Sequence, residues 1–197
     1  MTCGSFSRHR LWFFGGTPVN CETLVRCGSV IAGLVLASSN SVGAPLVVTT
    51  AMDDAPLIAV SLAHTGIRRP SEFATEGRVE YRSNLQLWIF KPFGGGMANS
   101  NGTLHVFAGV LIDFYLWSCV VITPSFAPGL YHAGGGKDLG SPLEFRSQIE
   151  LSYRFPRGFR IGVGFNHISN AMLGRINPGI EAVSITFSTP GIPAPGG

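Results

Sequence analysis

Three side chains in the last third of the sequence are of the types that carry out ester hydrolysis. His167 and Ser169 are separated by a single residue, and Glu181 follows in the next predicted strand. A histidine that removes the proton of a serine hydroxyl, and that is itself oriented by a carboxylate, is the arrangement of serine hydrolases. The residue types raise the hypothesis of nucleophilic ester hydrolysis. A polar pair at the end of a strand is the alternative interpretation.

Strand periodicity predicts where these three side chains point. The apolar residues of a strand predicted over 159–171 share one face: Phe159, Ile161, Val163 and Phe165. Because successive side chains of a strand point to opposite faces, His167 and Ser169 fall on that apolar face. The parity of Val183 and Ile185 places Glu181 on the apolar face of the following strand. Three polar groups on an apolar face need partners, and the simplest partners are one another.

The predicted spacing agrees with a relay between the three groups. Positions 167 and 169 stand about 6–7 Å apart along one strand, which is within reach of an imidazole and a hydroxyl. A turn at Asn177-Pro178-Gly179 returns the chain so that Glu181 comes beside His167. Such a relay would follow the logic of the serine hydrolases, and a polar pair at the end of the strand stays the alternative.

The composition favours an all-β chain with a large lipid-facing surface. Charged residues make up 13% of the 197 residues, whereas soluble domains carry about 25%. Gly (26), Pro (13) and Phe (14) are abundant, as expected of short strands joined by turns. No uninterrupted apolar run is long enough for a helical membrane span. The net charge of +3 does not favour nucleic acid, and the spacing of the cysteines and histidines does not indicate a metal site.

Eight candidate strands follow one another after residue 57, and several match the roughly 9–11 residues that a tilted strand needs to cross a bilayer. They lie near 57–67, 74–83, 85–97, 104–116, 120–132, 143–155, 159–171 and 181–188. In 143–155, apolar and charged residues alternate, a pattern shared by soluble sandwiches and membrane barrels. Strand length, the alternation of short turns with longer loops, and the need to close unpaired edges favour an eight-stranded antiparallel transmembrane β-barrel of the outer-membrane type.

The sequence also predicts three regions. Residues 1–44 form an N-terminal extension in which about 26–44 have the charged, apolar and small-residue parts of a secretory signal. The barrel domain is predicted over 45–189. A Pro/Gly-rich tail, 190–197, follows, and proline and glycine there disfavour continuation of the last strand.

Three segments together resemble the PagL-type lipid A 3-O-deacylases: Glu144-Phe145-Arg146-Ser147-Gln148, Phe165-Asn166-His167-Ile168-Ser169-Asn170-Ala171, and Asn177-Pro178-Gly179-Ile180-Glu181. The resemblance is strongest over about 140–189 and extends weakly to about 57. It implies an enzyme of the bacterial outer membrane, exported through an N-terminal signal, whose active site lies on the lipid-facing wall.

The resemblance implies hydrolysis of the ester-linked 3-hydroxyacyl chain at position 3 of lipid A, with lipopolysaccharide as substrate and outer-membrane lipid as surroundings. It implies Ser169, His167 and Glu181 as catalytic residues, Asn170 and Asn177 as residues of oxyanion stabilisation or site geometry, and neither metal nor organic cofactor. A homodimer is left open. The alternatives are a non-catalytic small outer-membrane barrel and a soluble lipid-binding barrel.

Overall fold

The computed structural model describes residues 48–49, 55–69, 72–116 and 119–191. These residues form the strands β1 Val48–Thr49, β2 Leu57–Thr65, β3 Ala74–Arg82, β4 Lys91–Asn99, β5 Leu104–Leu111, β6 Phe114–Leu116, β7 Val120–His132, β8 Leu143–Arg154, β9 Arg160–Ser169 and β10 Ile180–Pro190. No helix in these ranges is long and apolar enough to cross a membrane. The predicted all-β class is confirmed.

Antiparallel pairing of successive strands produces a closed barrel. Strands β2 to β5 pair in order, β5 and β6 both pair with β7 as two parts of one interrupted strand, and β7 to β10 continue the series. The pairing of β10 with β2, from Ala182 opposite Thr65 to Pro190 opposite Leu57, closes the ring. With β5 and β6 counted as one, the barrel has eight strands, as predicted. The short β1 pairs with β6 and was not predicted.

Most predicted strands differ from the observed ones by one or two residues at an end, and two differ by more. The strand predicted over 85–97 begins at Lys91, because residues 83–90 form a turn in which Leu87 and Phe90 bond each other through their backbones. The strand predicted over 104–116 is interrupted at residues 112–113, where Ile112 donates its backbone N–H to the carbonyl of Pro124.

The end of the last predicted strand also differs. The sequence predicts that this strand ends at 188, but β10 continues to Pro190. A proline can occupy this position because it is the final residue of the strand. The predicted signal segment, about 26–44, and residues 192–197 of the predicted tail lie outside the described residues.

Alternation of side chains separates a charged interior from an apolar outer surface. The interior of an eight-stranded barrel is filled by side chains, and here these form ion pairs such as Arg78 with Glu76 at 3.0 Å and Arg82 with Glu150 at 2.8 Å. Buried charges require such partners. The outer surface carries exposed apolar side chains from most strands, including Val60, Leu62, Val106, Ile149, Val163 and Ile185. This outward apolar belt is typical of a barrel in lipid.

The two longest loops in the described ranges lie at the same end of the barrel. Strands β7 and β9 end, and β8 and β10 begin, at the end that carries the loops 133–142 and 170–179. The first and last barrel strands, β2 and β10, have their chain termini at the opposite end, where the turn 155–159 is short. In outer-membrane barrels the longer loops are extracellular and the short turns periplasmic. His167, Ser169 and Glu181 all lie at the end with the longer loops.

Candidate active site on the outer wall

The structure places the three predicted residues together on the outer wall of the barrel. His167 and Ser169 are at the end of β9, and their neighbours Asn166 and Ile168 point into the interior. Glu181 is the second residue of β10 and shares its face with the exposed Val183. The predicted outward direction of all three side chains is therefore observed, at partly buried positions.

Strand register brings Glu181 directly opposite His167. The carbonyl of Glu181 accepts a hydrogen bond from Gly66 at 2.9 Å, so its backbone polar groups point toward β2 and away from β9. In an antiparallel ladder this makes Glu181 and His167 a non-hydrogen-bonded pair, the closer of the two pair types, with a Cα separation of about 4.5 Å. Accordingly, His167 Nδ1 lies 3.3 Å from Glu181 Oε1. The imidazole is held by the acid through Nδ1, which leaves Nε2 for a hydroxyl.

Ser169 lies two residues beyond His167 on the same strand and the same face. Within the part of the chain that the structure describes, neither side chain hydrogen-bonds the other. Catalytic hydrogen bonds in enzymes without substrate are often long and shorten only when substrate binds. The structure thus shows the contact between His167 and Glu181, with Ser169 two residues further along the same face of β9.

Arg68 forms a second contact with the acid. Its guanidinium donates to Glu181 Oε1 at 3.0 Å, the same oxygen that faces His167. Arg68 follows the turn at Gly66, whose N–H binds the Glu181 carbonyl. The loop after β2 therefore holds Glu181 through both its backbone and its carboxylate. Sequence reasoning missed Arg68, because nothing local connects position 68 with position 181.

Gly179 fits closely against the imidazole. A Cβ at this position would lie 2.6 Å from His167 Cε1 and 3.2 Å from Nε2. The residue also has a φ of +57°, a left-handed conformation that favours glycine. The turn before β10 thus packs its backbone on the ring and restricts the ring from the end that carries the longer loops.

Asn170 connects the loops around the site. Its Nδ2 donates to the carbonyls of Leu139 and Ile176, both at 2.7 Å, and its Oδ1 accepts from the N–H of Met172 at 3.0 Å. The side chain is fully buried. Both donor hydrogens are used within the protein, so the predicted contribution of Asn170 is to site geometry.

Asn177 differs from Asn170 in the atoms that it uses. Its Oδ1 accepts from the backbone N–H of Asn170 at 3.1 Å, and its Nδ2 has no hydrogen bond within the described ranges. Between the two asparagines, Ala171 and Met172 have positive φ values of 51° and 68°. For residues other than glycine this is a strained conformation that the surrounding structure must hold in place. The asparagine bonds provide that support directly after Ser169.

Two outward residues of β8 lie next to His167 and Ser169 on the outer wall. Phe145 is opposite Ser169 and Ser147 is opposite His167. The Phe145 ring stacks on Phe126 of β7, with centroids 5.8 Å apart. The sequence carried a signal for Ser147: along 143–155, it is the polar residue in an otherwise apolar series on that face. Among the residues that the structure describes, no group of three or more histidine, cysteine, aspartate or glutamate side chains could hold a metal ion.

A comparison with protein families shows to which family this chain belongs. The sequence model of the family described as lipid A 3-O-deacylase (PagL) matches residues 75–190, more than half of the chain. The chain belongs to the lipid A 3-O-deacylase family. Within this family, a curated relative is the lipid A deacylase PagL of Pseudomonas aeruginosa, which is 39% identical over 56 residues. That alignment covers 28% of this chain and 32% of the relative, so the chain aligns with about a third of that protein's length.

Solved structures support the fold of this family member. The barrel is similar to the crystal structure of the outer membrane enzyme PagL, with a TM-score of 0.58 and 19% identity, over 68% of this chain and 99% of that one. It is also similar to a de novo designed transmembrane β-barrel, with a TM-score of 0.51 and 6% identity, over 72% of this chain and all of that one (100%). These likenesses show the transmembrane barrel fold.

Proposed function

We propose that the protein is an outer-membrane esterase that removes the ester-linked 3-hydroxyacyl chain from position 3 of lipid A. Family membership supports the substrate class and the location in the outer membrane. The observation that carries the proposal is the 3.3 Å contact between His167 Nδ1 and Glu181 Oε1 on the lipid-facing wall, with Ser169 next to it. A carboxylate and an imidazole at such a lipid-facing position are costly without a function or partner.

The proposed reaction has two halves. His167 Nε2 takes the proton of Ser169 as its Oγ attacks the ester carbonyl, and the imidazolium is stabilised by Glu181. The bond from the carbonyl carbon to the sugar oxygen then breaks, and His167 returns the proton to that oxygen. In the second half, a water activated by His167 attacks the acyl-serine and releases a 3-hydroxy fatty acid. The substrate enters sideways from the outer leaflet, since the three side chains point away from the interior.

We assign the oxyanion donor to Asn177 and the support of the loop to Asn170. Asn177 Nδ2 is available to a developing negative charge, whereas both hydrogens of Asn170 Nδ2 bind carbonyls. A positioned amide of this kind contributes about 10²–10³ in rate.

Replacement of each asparagine by aspartate separates these two roles. Asn177→Asp keeps the oxygen that accepts from Asn170, so we expect normal folding and a loss of about 10²–10³ in kcat. Asn170→Asp removes two donated hydrogen bonds from buried carbonyls, so we expect destabilisation by about 1–3 kcal/mol. Thermal unfolding in detergent and initial rates measure the two effects. Equal activity of Asn177→Asp and wild type would contradict the assignment of Asn177.

The function itself is tested with the full chain purified in detergent. Wild type and Ser169→Ala are incubated with lipid A, and mass spectrometry follows the loss of one hydroxyacyl chain and the release of the free fatty acid. We expect both products from wild type and neither from Ser169→Ala. Equal product from both proteins would contradict the mechanism. A folded wild-type protein without product would favour the non-catalytic barrel instead.

A further inference from the structure

Ser147 is a further polar side chain on the lipid-facing wall next to the proposed triad. It is exposed on β8, and its outward neighbours along the strand are Phe145 and Ile149. Its hydroxyl forms no hydrogen bond with any residue that the structure describes. A hydroxyl that faces lipid without a partner is unfavourable. A polar group of a bound ligand would compensate the Ser147 hydroxyl, and the proposed mechanism does not use this residue.

The register fixes where Ser147 lies relative to the triad. Glu181, His167 and Ser147 occupy one row across β10, β9 and β8. Glu181 faces His167 as the close, non-hydrogen-bonded pair, so His167 and Ser147 form the wider, hydrogen-bonded pair with a Cα separation of about 5.5 Å. The imidazole is drawn toward Glu181 by the 3.3 Å contact. The exposed Ser147 is therefore on the side of the ring that faces away from Glu181.

The depth of Ser147 in the membrane suggests which substrate group this is. β9 runs toward the end with the long loops, so Ser169 lies nearer the headgroups than the row of His167 and Ser147. Ser147 is the diagonal cross-strand neighbour of Ser169, at about 7–8 Å. An acyl chain whose carbonyl is at Ser169 continues from there toward the membrane interior. Its hydroxyl, two carbons beyond the carbonyl, then comes next to Ser147.

We propose that Ser147 is a specificity residue that hydrogen-bonds the 3-hydroxyl group of the acyl chain. This inference rests on the proposed deacylase function. The Ser147 hydroxyl donates a hydrogen bond to the oxygen of the substrate hydroxyl, or accepts one from that hydroxyl group. An acyl chain that lacks the hydroxyl leaves Ser147 unpaired, so the site distinguishes 3-hydroxyacyl from plain acyl esters.

The test compares two substrates and three proteins. The substrates are monosaccharide lipid A analogues that carry, at position 3, either a 3-hydroxytetradecanoyl or a tetradecanoyl chain. Wild type, Ser147→Ala and Ser147→Thr are assayed in detergent for kcat/KM on each. We expect kcat/KM of Ser147→Ala to fall about five- to tenfold on the hydroxylated substrate, which corresponds to one neutral hydrogen bond. On the substrate without the hydroxyl, kcat/KM should stay unchanged. Ser147→Thr retains a hydroxyl and should keep most of the preference.

Ile149→Ala serves as the matched control, because Ile149 is the next outward residue on β8 and carries no polar group. It should leave the ratio between the two substrates unchanged. If Ser147→Ala lowers kcat/KM equally on both substrates, or on neither, the assignment of Ser147 is wrong while the deacylase function stands. If folded wild type cleaves neither substrate, the proposed function fails, and the assignment of Ser147 fails with it.

Discussion

Replacing either Ser169 or His167 with alanine is expected to lower the rate of lipid A deacylation by a factor of about 10³ or more. Ser169 supplies the only bond to the acyl group in the proposed mechanism, and without His167 its hydroxyl remains protonated and weakly nucleophilic. Removal of Glu181 should cost less, because His167 remains next to Ser169 and loses only its orienting partner. Rates are measured by mass spectrometry of the released fatty acid, under saturating lipid A in detergent.

The double variant Ser169→Ala, His167→Ala should be little worse than either single variant. Residues that act as one unit lose their joint contribution when either is removed. Thr189→Ala is a suitable control, since Thr189 is an exposed residue at the far end of β10 and should leave the rate unchanged. Losses that add up across the two single variants would mean that the serine and histidine act independently, and the relay would be rejected.

Gly179→Ala is expected to lower the rate by about 10² without unfolding the barrel, because misplacement of a catalytic group by about 1 Å can cost this much. The new Cβ would lie 2.6 Å from His167 Cε1, so either the ring or the turn has to move. Movement of the ring would disturb its contact with Glu181 and its position beside Ser169. Initial rates and the midpoint of thermal unfolding, measured on the same preparation, separate the catalytic effect from a loss of stability.

Gly158→Ala is the matched control for Gly179→Ala. Gly158 also has a positive φ, +85°, but lies in the turn before β9 at the opposite end of the barrel. Among the described residues, a Cβ there would meet only Pro190 Cγ, at 3.3 Å. Both variants should lose about 1 kcal/mol of stability from backbone strain, but only Gly179→Ala should lose activity. Equal activities of the two variants would show that the contact with His167 does not matter.

The strand faces on which the site residues lie were predictable from the sequence. Period-two alternation is a local property of a strand, so Phe165 and Val183 were sufficient to assign the outward faces on which His167, Ser169 and Glu181 lie. The eight strands were predictable for the same reason, with errors at boundaries. The turn at 83–90 and the strand end at Pro190 depend on pairing with other strands, and local pattern does not contain that pairing.

The tertiary structure decided which groups meet. The 3.3 Å contact of His167 with Glu181 follows from the register of β9 and β10, and the bond from Arg68 to Glu181 requires closure of the barrel between β2 and β10. The position of Ser147 opposite His167 depends in the same way on β8. A strand sequence determines which face a side chain occupies, but its neighbours across the sheet come from distant parts of the chain. The hydroxyls, the acid and the base therefore become one site only when the strands pair.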